Sequence, residues 1–343
     1  MMSTQTETDA SCLLNLVGGF WTTQVIYTAV ELGLADAMAQ GPCSIQSMAT
    51  RLNANRDAVE RILQSLVSLG VCRADAMSNY ALTSMGELLV DDHPRSLRAW
   101  TILTGRYFCR RWENLSEVVR SGSAVHKLRG EGDRFQSLND RPTEATDFNR
   151  AMTELTRLVA PDVARIVAQI AAPNATVIDV GGGHGELLSV ILKENRGLHG
   201  KIFDLAHAAP GAQQLLKQQN LDERADFIAG SFFSTVPQGD VLLLKSILHD
   251  WDAEHCDTLL QVCAAHLGPS GQLLIVERIL PDQVSVLPGH QAICRSDLNM
   301  LVGTGGRERT LAEFEDMVQR AKLYLVEARA ISAGFTVLLC KHL

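Results

Sequence analysis

His249 lies in KSILHDWD (245–252), directly beyond VLLL (241–244), an aliphatic run with the marks of a buried strand. An imidazole titrates near neutral pH and can take a proton from a hydroxyl without a metal. Around it stand Lys245, Asp250, Trp251 and Asp252, so the stretch admits a catalytic base, a metal site, a helix cap or a plain polar loop. Asp252 immediately precedes a helical pattern from Ala253 and reads as its N-cap. His249, Asp250, Asp252 and His255 are dense enough for a metal, but turn and helix geometry would not aim all four at one point. With no second cluster at ligand spacing, no metal is expected.

A second constellation is TVIDVGGGHGELLSVIL (176–192), a strand, a glycine turn and a helix. Gly181, Gly183 and Gly185 allow a tight turn and close approach of a ligand to the backbone. The spacing is D-x-G-x-G-x-G, and Asp179 so near the turn disfavours a pyrophosphate. An acid there suits a cofactor with an ammonium and a sulfonium, S-adenosylmethionine (SAM). KIFDL (201–205) ends the next strand with Asp204, about twenty residues past the turn, where a carboxylate can accept both ribose hydroxyls. A purely structural turn and a nicotinamide site are the competing readings.

The elements that must position these residues follow from the pattern. Beyond about residue 174, strands are expected at 176–180, 200–204, 225–229, 240–245, 271–279, 323–330 and 334–341, with helices near 185–194, 209–219, 253–267 and 310–321. Such alternation predicts an α/β domain with a mostly parallel, Rossmann-like sheet. The last two strands are joined by only a few residues, so they should form an antiparallel hairpin. Thr310 and Glu313 have the spacing of a capping box. Residues 93–172 read as helical, interrupted by a Gly- and charge-rich stretch at 121–142. The first hundred residues read as short helices, with 44–53 and 55–70 as a helix-turn-helix and 71–83 as a small hairpin or wing. Three regions are therefore expected: 1–105, a winged-helix-like domain; 106–172, a helical linker; and 173–343, the cofactor domain.

A winged helix suggests DNA, but residues 1–105 hold six arginines, no lysine and ten acids, and the second helix carries Asp57 and Glu60. The whole chain of 343 residues has a formal charge of −8. A phosphate backbone would be repelled, so protein contact is the better use of this domain and no nucleic acid is expected. No apolar run approaches the roughly 18 residues needed to span a bilayer. No membrane partner and no secretory signal are expected. The eight cysteines are scattered without a C-x-x-C pair, which favours reduced thiols and a cytoplasmic location.

Taken in order, DVGGGHGE, KIFDL, LKSILHDW, IVERILP and DLNMLVGTGGRERTLAEFEDM closely resemble the plant-type SAM-dependent O-methyltransferases, a family that includes bacterial enzymes of secondary metabolism and the N-acetylserotonin methyltransferase of animals. The resemblance covers nearly the whole chain. It implies a Rossmann-like methyltransferase domain behind an N-terminal helical domain that forms a homodimer. It implies that Gly181, Gly183, Asp204, Leu205, Lys245 and Thr156 touch the cofactor. Where the family has an Asp in a GDMF-like stretch this chain has GSFF, so Ser231 and Phe232 stand at the adenine position. Ser246 replaces a residue often aromatic in the family.

The resemblance also assigns chemistry. His249 would be the general base, with Glu308 and Glu277 flanking it. Phe148 and Met152 from the middle region, and Asn299 and Met300 from DLNML, would line the acceptor site, with Tyr107 and Phe108 as further candidates. The implied acceptor is a small aromatic or polyketide-like hydroxyl compound. The same fold and cofactor also serve methyl transfer to carbon or nitrogen, and reactions of SAM enzymes without methyl transfer.

Overall fold

The computed structural model describes residues 2–132 and 134–343; Asp133, within the stretch 121–142, lies outside them. The chain divides into two compact units: residues 1–110 with 146–154, and residues 111–145 with 155–343.

The first unit is helical but for a three-stranded antiparallel sheet, β1 (Cys43–Ser44), β2 (Cys72–Ala74) and β3 (Asn79–Leu82), in the order β1-β3-β2. Two helices, Ile45–Arg51 and Arg56–Ser68, precede the β2–β3 hairpin. Ser44 and Asn55 cap them by accepting from the N–H groups of Ser47 and Ala58, satisfying donors that a helix start leaves unpaired. Val59, Leu63 and Leu66 fall at helical spacing and are buried, which fixes the face turned to the core. Glu154 is buried and accepts the backbone N–H groups of Ala99 and Trp100, each at 2.9 Å. It thereby caps the helix Arg98–Ile102 and ties 146–154 into this unit.

The second unit is built on a seven-stranded sheet. Its strands are β4 (Thr176–Val180), β5 (His199–Asp204), β6 (Ala225–Ala229), β7 (Gly239–Lys245), β8 (Leu267–Glu277), β9 (Leu323–Ala330) and β10 (Thr336–His342), in the order β6-β5-β4-β7-β8-β10-β9. β4 to β8 are parallel, and β10 runs antiparallel to both β8 and β9. Both faces are covered. Val177, Leu243, Leu274 and Val276 pack with the helices Ala160–Ile170 and Glu186–Glu194. Ile178, Leu242, Leu273 and Ile275 pack with Ala253–His266 and Leu311–Arg320. Burial on two faces is why these strands read as unbroken aliphatic runs.

The chain leaves β4 toward β5 on one side and takes up β7 on the other, so the strand order reverses between β4 and β7. Open α/β sheets bind ligands beyond the carboxyl ends of the strands at such a point. The glycine turn follows β4 and KSILHDWD follows β7, so both constellations lie on that edge.

Candidate active site

The loop after β7 is held by groups from three other segments. Ser246 takes a left-handed conformation (φ 54°), a strained setting for a non-glycine residue. Just beyond it, the Glu277 carboxylate at the end of β8 accepts three backbone N–H groups through Oε1: Ile247 and Leu248 at 2.9 Å and His249 at 3.4 Å. The Arg309 guanidinium donates to the carbonyls of Leu248 and Trp251, both at 2.7 Å. The Arg307 N–H donates to His249 O at 2.9 Å. Gly306 permits this approach, since a Cβ there would sit 2.0 Å from His249 O. Asp252 accepts from the His255 N–H and caps the helix Ala253–His266, and Thr310 with Glu313 forms the capping box of Leu311–Arg320.

His249 is thereby fixed between acids. Its Nδ1 lies 3.3 Å from Glu308 Oε1 and 3.6 Å from Glu277 Oε2, while Nε2 lies 3.9 Å from Asp250 Oδ2. Glu277 is fully buried, and Glu308 is 1% exposed. An ionised carboxylate only accepts, so the hydrogen-bond network assigns a proton to Nδ1. Glu308 is itself positioned: Ser296 Oγ donates to its Oε1 at 2.7 Å, and its backbone N–H donates to Asp297 Oδ1 at 2.8 Å. Burial works against the imidazolium, but Glu277, Asp250 and Glu308 together outweigh it and raise the His249 pKa to about 10. Burial raises Asp250 to about 6 against the pull of His249. Burial also raises Glu277, whereas Glu308 is held low against burial by its bonds to His249 and Ser296.

The donor atoms of His249, Glu277 and Glu308 lie within 4.8 Å of one another, a spacing that would also hold a metal ion. The electrostatics of the trio are met by a proton on the imidazole, since one oxygen of each acid already accepts N–H or O–H donors. The denser sequence cluster separates: His255 Nδ1 pairs with Asp252 at 2.7 Å, while His249 faces the glutamates.

The glycine turn has the form a ligand cradle needs. Gly181, Gly183 and Gly185 all have positive φ. A Cβ on Gly181 would strike Ile247 at 2.4 Å and one on Gly185 would strike Ile202 at 2.2 Å, whereas one on Gly183 would meet nothing within 4 Å. Gly183 thus borders open space. Asp204 accepts the Gly183 N–H through Oδ2 at 2.7 Å and the Leu205 N–H through Oδ1 at 2.6 Å. Each oxygen keeps a lone pair for a further donor.

Asp179 is 2% exposed, and its Oδ2 has no hydrogen-bond partner. Burial, and next the charge of Asp204, lift its pKa to about 7 against the pull of Lys245. A buried acid of this kind is relieved by a cation. The Lys245 ammonium lies 5.7 Å from the Phe335 ring centre, and burial lowers its pKa to about 8. Beyond β6, Phe232 and Phe233 meet edge to face at 4.8 Å, and Trp251 packs on Phe233 at 4.7 Å. This gives an aromatic wall next to the exposed Ser231. The unpartnered acid, the turn open at Gly183, the ribose-type acid and the aromatic wall fit the parts of SAM.

The remaining expected residues fall in different places. Thr156 is buried in the second unit. Asn299 and Met300 lie on the helix Pro288–Gly303, three and four residues past Ser296. Phe148 and Met152 lie in the first unit, packed with Tyr107, Phe108 and Trp100 around Leu103. Sequence reasoning passed over Ser296, Asp297 and Arg309, which fix Glu308 and the His249 loop, and Trp112, whose indole bonds Asn299 at 3.0 Å. Only the neighbourhood of Arg309 and Glu308 in GGRERT carried a signal.

A parallel sheet closed by an antiparallel C-terminal pair, with an acid-led glycine turn and a ribose-type acid at the switch point, defines a methyltransferase dependent on SAM. The chain belongs to the O-methyltransferase family: residues 112–323 match the O-methyltransferase domain and residues 14–92 the O-methyltransferase dimerisation domain. It is 32% identical to a phenazine O-methyltransferase of Lysobacter antibioticus over 96% of this chain and 95% of that protein. It is 35% identical to a 3-amino-4-hydroxybenzoate 4-O-methyltransferase of Streptomyces cremeus over 93% and 86% of the two chains. The crystal structure of human N-acetylserotonin methyltransferase in complex with SAM superimposes with a TM-score of 0.88 at 26% identity, over 97% of each chain.

Proposed function

We propose that this enzyme methylates a hydroxyl of a small aromatic or polyketide-like metabolite, with His249 as general base. The observation that carries the assignment is the His249 Nδ1 contact with Glu308 at 3.3 Å, beside a second buried acid, at the switch point of the sheet. Bound SAM supplies an electrophilic methyl group on a sulfonium. The protein must then hold the acceptor hydroxyl and take its proton as the new bond forms. With Nδ1–H turned to Glu308, Nε2 is the atom that takes the proton, and the flanking carboxylates stabilise the imidazolium that results. The high proton affinity of this imidazole matches a phenolic hydroxyl, whose own pKa is about 10.

In this reading Gly181, Gly183, Asp204, Leu205, Ser231, Phe232, Lys245 and Thr156 hold the cofactor. Asp179 counters its positive charge, and Trp251 extends the aromatic wall at the adenine end. Asn299 and Met300 contact the acceptor. Both curated relatives above are named for aromatic hydroxyl acceptors, which supports the same class here. The domain division is read as a dimerisation region over 1–105, a pocket-forming helical region over 106–172 and the methyltransferase domain over 173–343. The enzyme acts as a homodimer in the cytoplasm: the dimerisation domain begins at residue 14, and Leu14, Leu16, Val17, Phe20 and Trp21 are each more than half exposed, an apolar surface suited to a second copy.

The test is a panel of hydroxy-aromatic acceptors with methyl-labelled SAM, the product located by mass spectrometry and NMR. An O-methyl ether is expected. Label found only on carbon or nitrogen would replace this reading with the C- or N-methyltransferase one.

A further inference from the structure

Trp112 and Asn299 are far apart in sequence, yet the indole Nε1–H of Trp112 donates to Asn299 Oδ1 at 3.0 Å. Trp112 is anchored by packing with Val118, Val125 and Val302. An amide side chain can usually be turned either way, but an indole nitrogen only donates, so it must face the amide oxygen. The Asn299 NH₂ is therefore turned away from Trp112. Among the described residues it donates to no protein group.

Asn299 also lies three residues past Ser296 on the helix Pro288–Gly303, so the two side chains are neighbours on one helix face. Ser296 Oγ donates to Glu308 Oε1, the oxygen that faces His249. The free amide donors are thus displayed one helical turn from the group that touches the base.

We propose that Trp112 is a positioning residue that locks Asn299 as a hydrogen-bond donor. The acceptor site thereby selects hydroxy-aromatic compounds with a second, hydrogen-bond-accepting oxygen: a carboxylate, ring carbonyl or phenolate. This rests on the methyl-acceptor reading of the site and narrows its substrate class. A compound that offers no acceptor atom leaves two N–H groups dry, which is what makes polar recognition selective.

The experiment compares 3-hydroxy-2-naphthoate with 2-naphthol by isothermal titration to protein saturated with S-adenosylhomocysteine, so turnover plays no part. The wild type binds the naphthoate about tenfold or more tightly, the range for a hydrogen bond to a charged group. Asn299→Asp keeps a partner for the indole but replaces the donors with an oxygen, and should reduce the preference to below about threefold. Trp112→Phe frees the amide to turn and should lower the preference in the same direction. The affinity for S-adenosylhomocysteine should stay unchanged in both, which a merely structural role for Trp112 would not predict. Equal binding of the two compounds by the wild type, or a preference untouched in both variants, overturns this inference and leaves the methyl-acceptor reading standing. Binding of neither compound instead strikes at the acceptor class itself, and this inference falls with it.

Discussion

Glu277 holds His249 twice: Oε1 accepts the residue's own backbone N–H together with those of Ile247 and Leu248, while Oε2 lies 3.6 Å from the ring Nδ1. One fully buried acid therefore acts both on the turn and on its electrostatics. Oε2 has no hydrogen-bond partner, so the charge is compensated by the imidazolium and not by solvent. Backbone placement and side-chain protonation of the base are coupled through this single residue.

That coupling separates two substitutions. Glu277→Ala removes the buried acceptor of three backbone N–H groups and should cost about 3–5 kcal/mol, the range for breaking a buried charged contact. Glu277→Gln keeps a carbonyl oxygen for the turn but removes the charge. It should lose far less stability while still lowering turnover. Urea unfolding and steady-state kinetics on the two variants decide this; equal stability losses would mean that the acid acts on the ring alone.

His249→Ala should lower kcat by about 10²–10⁴, because it removes the imidazole that takes the acceptor's proton. Glycine-turn contacts and the Asp204 bonds do not involve the imidazole, so S-adenosylhomocysteine affinity by titration calorimetry should change less than about threefold. Turnover near the wild-type level would sink the base assignment.

The raised His249 pKa gives a pH dependence with a definite sign. The folded value is about 10 against an ordinary 6.5, so the charged imidazole stabilises the fold in full below about pH 6.5, and this contribution is lost as pH rises through about 10. Relative to His249→Gln, the wild type should lose urea resistance over that window. Activity runs the other way, because proton abstraction needs the neutral ring: acceptor kcat/KM should rise toward alkaline pH. Glu308→Gln removes one of the charges that hold the proton and should move this limb to lower pH. A limb that stays in place would detach Glu308 from the titration.

Much of this architecture was legible because burial on both faces leaves a plain mark. β4, β6 and β9 have the bounds expected of them, although of the three only β4 is an aliphatic run buried on both faces, and Asp252 and Thr310 cap helices where their spacing placed them. β8 begins at Leu267, four residues before the expected start: Gly268, Pro269 and Ser270 look like a turn, yet Leu267 already pairs with Gly239. The acids around His249 were reached through family motifs, since nothing local links positions 249, 277 and 308. Ser296, Arg309 and the Trp112–Asn299 bond were missed for the same reason. Their partners are set by the packing of helices and loops, which no periodicity along the chain encodes.

Asp179 offers the sharpest trade between stability and binding. Buried beneath the glycine turn with one unpartnered oxygen, its pKa is lifted from 3.8 to about 7 by burial and then by Asp204. The ionised form therefore destabilises the free protein at pH 8, and the penalty is relieved as pH falls through about 7, where the folded state takes up a proton. Asp179→Asn keeps the shape without the charge. The variant should be more stable than the wild type at pH 8, by on the order of 2 kcal/mol, and the gain should shrink by pH 5.5. If the same charge is there to meet the cofactor's ammonium or sulfonium, the variant should also bind SAM at least about tenfold more weakly. Unfolding at the two pH values and calorimetry at pH 8 separate the effects. A variant that gains stability but binds SAM as before would leave Asp179 as a strained turn residue, and one that loses stability at pH 8 would show the buried charge to be compensated within the protein.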